Sequence, residues 1–169
     1  MNTFGQSVSH LPLKTKTMTI EKIESFSVIG IAVRTTNENQ QAMTDIGALW
    51  QQFISEKLLE KIPNKIDTTI YCIYTDYEKD HTQPYTTILG CRVSDTSLVP
   101  EGMVAKTFTS DTYEKIIVKG NIFQGALAEA WFDIWNSDRN RAYTADFEVY
   151  SEKASDPENA EVAIYIALA

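Results

Sequence analysis

The feature that most constrains this chain is an ordered repetition of element types. "SFSVIGIAVRT" (Ser25–Thr35) is rich in Ile and Val and has the length of a strand. "QAMTDIGALWQQFISEKLLEKI" then places Met43, Ile46, Trp50 and Phe53 at helical spacing, with Leu49, Ile54 and Leu58 flanking, and Pro63 stops the run. "DTTIYCIYTDYEKDHTQPYTTILGCRV" reads as strand, loop, strand. After the connection "SDTSLVPEG" come two extended runs, "MVAKTFTS" and "YEKIIVKG". "NIFQGALAEAWFDIW" predicts a second helix, with Phe123, Leu127, Ala130 and Ile134 in one stripe and Trp131 and Trp135 beside it. "DFEVYSE" and "AEVAIYIAL" close the chain as a hairpin around "KASDPEN".

The order is therefore β-α-β-β, a connection, and β-α-β-β again. The residues carry the repeat too. Trp50 follows "GAL" in the first helix and Trp131 follows "AEA" in the second. "IYCIYTDYEKD" lies over "DFEVYSEKASD" without a gap, matching Tyr74 to Tyr150, Asp80 to Asp156 and Cys72 to Glu148. Each half is too small to bury its own sheet face. The expected fold is α+β: duplicated β-α-β-β halves, about residues 19–93 and 103–169, forming one curved, mostly antiparallel sheet. Two helices lie on one face with a ligand groove between them. Residues 1–18 are expected to be an N-terminal tail, with Met18 a plausible alternative start, and 19–169 a single domain.

The repeat raises a question about Glu148. Strand alternation would turn Phe147 and Val149 inward and Glu148 to water. The overlay on Cys72, an apolar residue between Tyr71 and Ile73, would turn Glu148 to the inner surface instead. The pattern leaves both orientations open.

Charge and motif content exclude several functions. The net charge of −8 opposes phosphate backbones and anionic membrane surfaces, and no basic cluster, helix-turn-helix or zinc finger is present. No direct nucleic-acid binding is expected. No signal-peptide or transmembrane run appears, so a cytoplasmic protein with no membrane partner is expected. Cys72 and Cys91 read as buried free thiols, with a disulfide open if their strands pair. His10 and His81 fall in a tail and a loop, and no spacing suits a metal. No cofactor motif or nucleophilic triad is found. The loop "DYEKDH" reads as a solvated hairpin tip and Glu161 as a strand-start residue near solvent, with a second pocket carboxylate as its alternative. Aromatics make up 11% of the chain, enough to line a cavity as well as fill a core.

"LWQQF", "YTDYEKD…YTTILGC", "YEKIIVKGNI", "AEAWFDIW" and "DFEVY", in that order, resemble the gyrase-inhibitor-like or bacterial effector-binding domain family. This is the ligand-sensing module of AraC-type and MerR-type multidrug regulators, also found as stand-alone proteins, including some on mobile cassettes. The resemblance spans about residues 20–169. It implies a groove between the helices that takes bulky cationic, lipophilic compounds. It also implies a glutamate at the bottom of an aromatic pocket, here Glu148, with Tyr150 two positions on. An aromatic wall from the last strand falls at Tyr165, and the helix-one tryptophan is Trp50. Trp131 and Tyr74 are further candidates for ligand contact.

The chain departs from the regulators in carrying no DNA-binding segment, so a separate DNA-binding partner would have to supply one. Either a monomer or a homodimer fits the pattern. A carboxylate walled by rings would pair with a cation and gain about 0.5–2 kcal/mol per good ring contact. The resemblance also implies a hydrolase alternative, acting on cyclopropane-type electrophiles with Glu148 as base and Tyr165 as acid. A third alternative is a protein inhibitor of gyrase-like enzymes.

Overall fold

The apolar runs all enter one sheet. The computed structural model describes residues 18–169. Strands β1 (Met18–Ile23), β2 (Phe26–Thr35), β3 (Ile70–Thr75), β4 (Tyr85–Val93), β5 (Val104–Phe108), β6 (Asp111–Gly120), β7 (Ala145–Tyr150) and β8 (Ala160–Ala167) form an eight-stranded sheet. Its order is β1-β6-β8-β7-β3-β4-β2-β5, and every pairing is antiparallel. The helices are α1 (Gln41–Ser55), α2 (Leu58–Lys61) and α3 (Ala126–Trp135).

The duplication is visible in this order. One half is β2-α1-β3-β4, the other β6-α3-β7-β8, and they join where β3 pairs with β7. The halves also exchange a strand. β1 pairs with β6 of the second half, and β5 pairs with β2 of the first. β1 leaves no strand signature in the sequence: its "MTIEKI" run is short, half polar and mostly exposed at the sheet margin. Met18, expected to end the tail, pairs with Ile116. The rest of that tail, with His10, lies outside the described residues.

Both faces of the sheet are buried. On one, Leu49 and Phe53 of α1 pack with Ile29, Ile31, Cys72 and Leu89, while Ala130 and Ile134 of α3 pack with Ile116, Val118, Ile164 and Ile166. On the other, Phe26, Ile73, Ile88, Phe108, Tyr113 and Phe147 cluster without any helix. That face closes on itself by curling. Phe26 on β2 and Tyr113 on β6, each one strand from a margin, both touch the Phe147 ring at 5.4 and 5.2 Å between centroids. Gly30 and Gly90 face each other within this bend. A Cβ on either would fall on the opposing backbone, at the Leu89 or the Ile29 carbonyl oxygen, so the close approach requires glycine.

The helices differ in detail from the periodic reading. The single helix expected up to Pro63 breaks at Lys57, whose φ of 52° is left-handed; α1 ends at Ser55 and α2 is one short turn. The break lets Leu58 and Ile62 dip into the core, which a straight helix would carry past it. In the second, Asn121 accepts from the Phe123 amide to cap a 3-10 turn over Ile122–Gln124, and left-handed Gly125 (φ 86°) redirects the chain into α3. Phe123 is consequently 80% exposed rather than on the buried stripe. Both cysteines are buried free thiols. Glu161 sits at the rim within ion-pair reach of Lys119 and Lys153. Among the described residues, no helix is long and apolar enough to cross a membrane.

Candidate functional site

Between the two long helices and the sheet lies a cavity of about 450 Å³, within the rough 300–1,000 Å³ range of small-molecule sites. Each helix turns part of its apolar surface to it. In α1, Leu49 and Phe53 point at the sheet, while Met43, Ile46, Gly47 and Trp50 line the cavity. In α3, Ala130 and Ile134 point at the sheet, and Leu127, Ala128, Trp131 and Trp135 line the cavity. The periodic stripes are therefore wide enough to serve both a core and a wall. Tyr74 and Tyr85 form the floor, and Asn37, Tyr77 and His81 close one end.

Glu148 lies directly behind this wall, and it is inward. Its residue exposure is 4%, and its carboxylate accepts from Trp131 Nε1–H and from Tyr150 O–H, each at 2.7 Å. Alternation misleads here because both sheet faces are buried, so Phe147 and Val149 point into the curled face while Glu148 points to the helices. Burial pushes the Glu148 carboxyl above its ordinary value; hydrogen bonding from Trp131, Tyr150, Tyr74 and Cys72 holds it back. All of these donors are neutral. Among the described ion pairs none includes Glu148.

The site is nearly two-fold symmetric. Trp50 meets Tyr150 edge-on at 4.8 Å and 76°, and Trp131 meets Tyr74 edge-on at 5.3 Å and 85°. Each helix tryptophan thus packs on the strand tyrosine of the other half. The structure brings Glu148, Trp50, Trp131, Tyr74 and Tyr150 together, though only Trp50, Trp131 and Tyr74 face the cavity itself.

Tyr165 is not among them. It pairs with Phe147 on the curled face, its ring stacked on Phe147 at 4.7 Å and lying under the Lys115 ammonium at 5.7 Å. Glu148 pairs with the neighbouring Ile164, so the sheet itself separates the two side chains. The placement of an aromatic wall at Tyr165 is corrected by one step of strand alternation. The Glu148–Tyr165 acid–base pair of the hydrolase alternative falls with it.

Other residues of the site escaped the sequence reading. The "DYEKDH" loop is not simply a solvated tip: Glu78 and Lys79 are exposed, but Tyr77 and His81 turn into the cavity. The His81 ring lies parallel to Trp135, 5.8 Å between centroids and 4° between planes, with Nδ1 3.2 Å from the Tyr143 hydroxyl. Burial, then the Arg141 charge, lowers the His81 pKa. Tyr85 donates to Asn37 Oδ1 at 2.6 Å. Tyr77 donates at 2.7 Å to Asp146, a second buried carboxylate that Arg141 Nη2 contacts at 2.7 Å and the Ala167 amide at 2.8 Å. The signal available for Asp146 was its place two residues before Glu148, since alternation puts both on the same face; in the sheet it pairs with Tyr74.

A family model described as integron-associated effector-binding protein, Cass2, matches residues 19–168. The chain belongs to this family. A Vibrio cholerae member from the mobile metagenome, integron cassette protein VCH_CASS2, is 32% identical in a crystal structure, with TM-score 0.67 over 90% of this chain and 95% of that one. YobU of Bacillus subtilis (strain 168), named as a candidate transcriptional regulator, is 27% identical over 145 residues, 82% of this chain and 89% of YobU. The structure of SAV2435 bound to tetraphenylphosphonium superposes with TM-score 0.73 at 16% identity, over 90% of this chain and 94% of that one, a likeness of fold. The Vibrio cholerae relative and this chain thus share one fold.

Proposed function

We propose that this Cass2-family protein captures cationic lipophilic or aromatic compounds in the cavity between α1 and α3, with Glu148 as the counter-charge. The observation that carries this reading is a buried carboxylate, held only by neutral donors, directly behind a wall of rings. An ionised carboxylate in that setting lacks a compensating charge, and a guest cation supplies it. Trp50, Trp131 and Tyr74 offer apolar area and ring faces to the guest, with about 0.5–2 kcal/mol for each good cation–ring contact. Rings and one charge impose few directional demands, so the site selects for charge sign and lipophilicity over detailed shape. The tetraphenylphosphonium held by SAV2435 is a compound of this class. A regulatory role of the kind for which YobU is named would be exercised through a separate DNA-binding partner.

Trp50 and Trp131 report directly on the wall. Titrating a rhodamine-like cation should quench tryptophan fluorescence, and Glu148→Gln should weaken the apparent affinity at least tenfold, about 1.4 kcal/mol. Equal affinity in the two proteins would remove Glu148 from the binding mechanism.

A further inference from the structure

Cys72 and Glu148 are equivalents in the internal repeat, and they also face each other across the β3–β7 rung. The pseudo-two-fold axis of the molecule therefore passes between them. The groups around that axis are matched, Trp50 on Tyr150 and Trp131 on Tyr74. The rung itself is not matched, with a carboxylate on one side and a buried thiol on the other. Facing side chains of an antiparallel pair sit roughly 5 Å apart, so a carboxylate at position 72 would stand directly beside Glu148, next to the Tyr74 hydroxyl that the Cys72 thiol contacts at 3.4 Å. Two carboxylates that close cannot both ionise unless a second positive charge arrives. The other buried carboxylate of the site, Asp146, is already paired with Arg141.

We propose that Cys72 is a specificity-determining residue: by filling the pseudo-symmetric place of Glu148 with a neutral side chain, it sets the site to guests carrying one positive charge. The thiol acts through charge count and not by reacting; burial, then the Glu148 charge, keeps it protonated. The inference rests on Glu148 being the counter-charge.

The test uses the full chain and two probes of one skeleton, a mono-quaternary and a bis-quaternary arylalkylammonium, measured by calorimetric titration. Wild type should bind the monocation at least tenfold more tightly. Cys72→Asp should shift that ratio at least tenfold toward the dication. The exchange Cys72→Glu with Glu148→Cys should recover at least tenfold of the monocation affinity that Glu148→Cys alone loses. Wild type binding both probes equally, or folded variants with unchanged near-ultraviolet dichroism that leave the ratio and the loss unaltered, would overturn the proposal. Should neither variant fold, the wild-type ratio decides. Failure of the underlying reading looks different, since Glu148→Gln would then bind the monocation as well as wild type does, whatever the ratio.

Discussion

Glu148 is one side chain with opposing demands on it. Burial favours its neutral form, while the Trp131 indole and the Tyr150 hydroxyl favour the ionised one, and burial is the larger effect. The folded-state pKa is thus raised above the unfolded value near 4.5. Between those two values the folded protein binds more protons than the unfolded chain, so stability contributed by this group falls as pH rises through the window. Glu148→Gln carries no such titration. Chemical denaturation from pH 4 upward should therefore show the wild type losing stability relative to the glutamine variant, with the gap levelling once the carboxyl is fully ionised. A gap that stays flat, or that widens toward acid, would place the pKa shift elsewhere or give it the other sign. The residue was half legible in sequence. The repeat pointed inward and the alternation outward, and the repeat prevailed because it compares two equivalent positions of one fold. Alternation assumes a wet face, which this sheet lacks.

At the level of elements, the strands from β2 onward were readable because Ile, Val and aromatic residues cluster in short runs between turn residues. β1 was not, since at the sheet margin its side chains are mostly exposed and leave no apolar pattern. The break between α1 and α2 was also invisible, because Lys57 is an ordinary helix former and only tertiary packing of Leu58 and Ile62 forces it left-handed. A lysine in that conformation costs about 1 kcal/mol that glycine avoids. Lys57→Gly is expected to raise stability by about 0.5–1 kcal/mol in urea unfolding, since the side chain is exposed and the φ of 52° suits glycine. A loss of that size would mean the turn depends on the lysine side chain. The same blindness affected Tyr77 and His81: a charged loop hides the residues that turn back to the cavity.

Across the whole molecule, duplication supplies two matched Trp–Tyr corners and the cavity between them, and one acidic residue breaks the match. The symmetric part was legible from the β-α-β-β order together with the match of Trp50 to Trp131 and of Tyr74 to Tyr150. The position of Tyr165 on the curled face was not, because the direction of curling depends on contacts between strands far apart in sequence, such as Phe26 and Tyr113 with Phe147. The net charge of −8 adds a general attraction for cations that salt screens, whereas the buried carboxylate is screened much less. The most direct test of the charge-pairing account is calorimetric titration with tetraphenylphosphonium between pH 5 and 8, in moderate salt, for wild type and Glu148→Gln. The account predicts that wild-type affinity rises with pH until the carboxyl is ionised, with proton release on binding below that point, while the glutamine variant binds at least tenfold more weakly and without pH dependence. Matching affinities and matching pH profiles in the two proteins would contradict it.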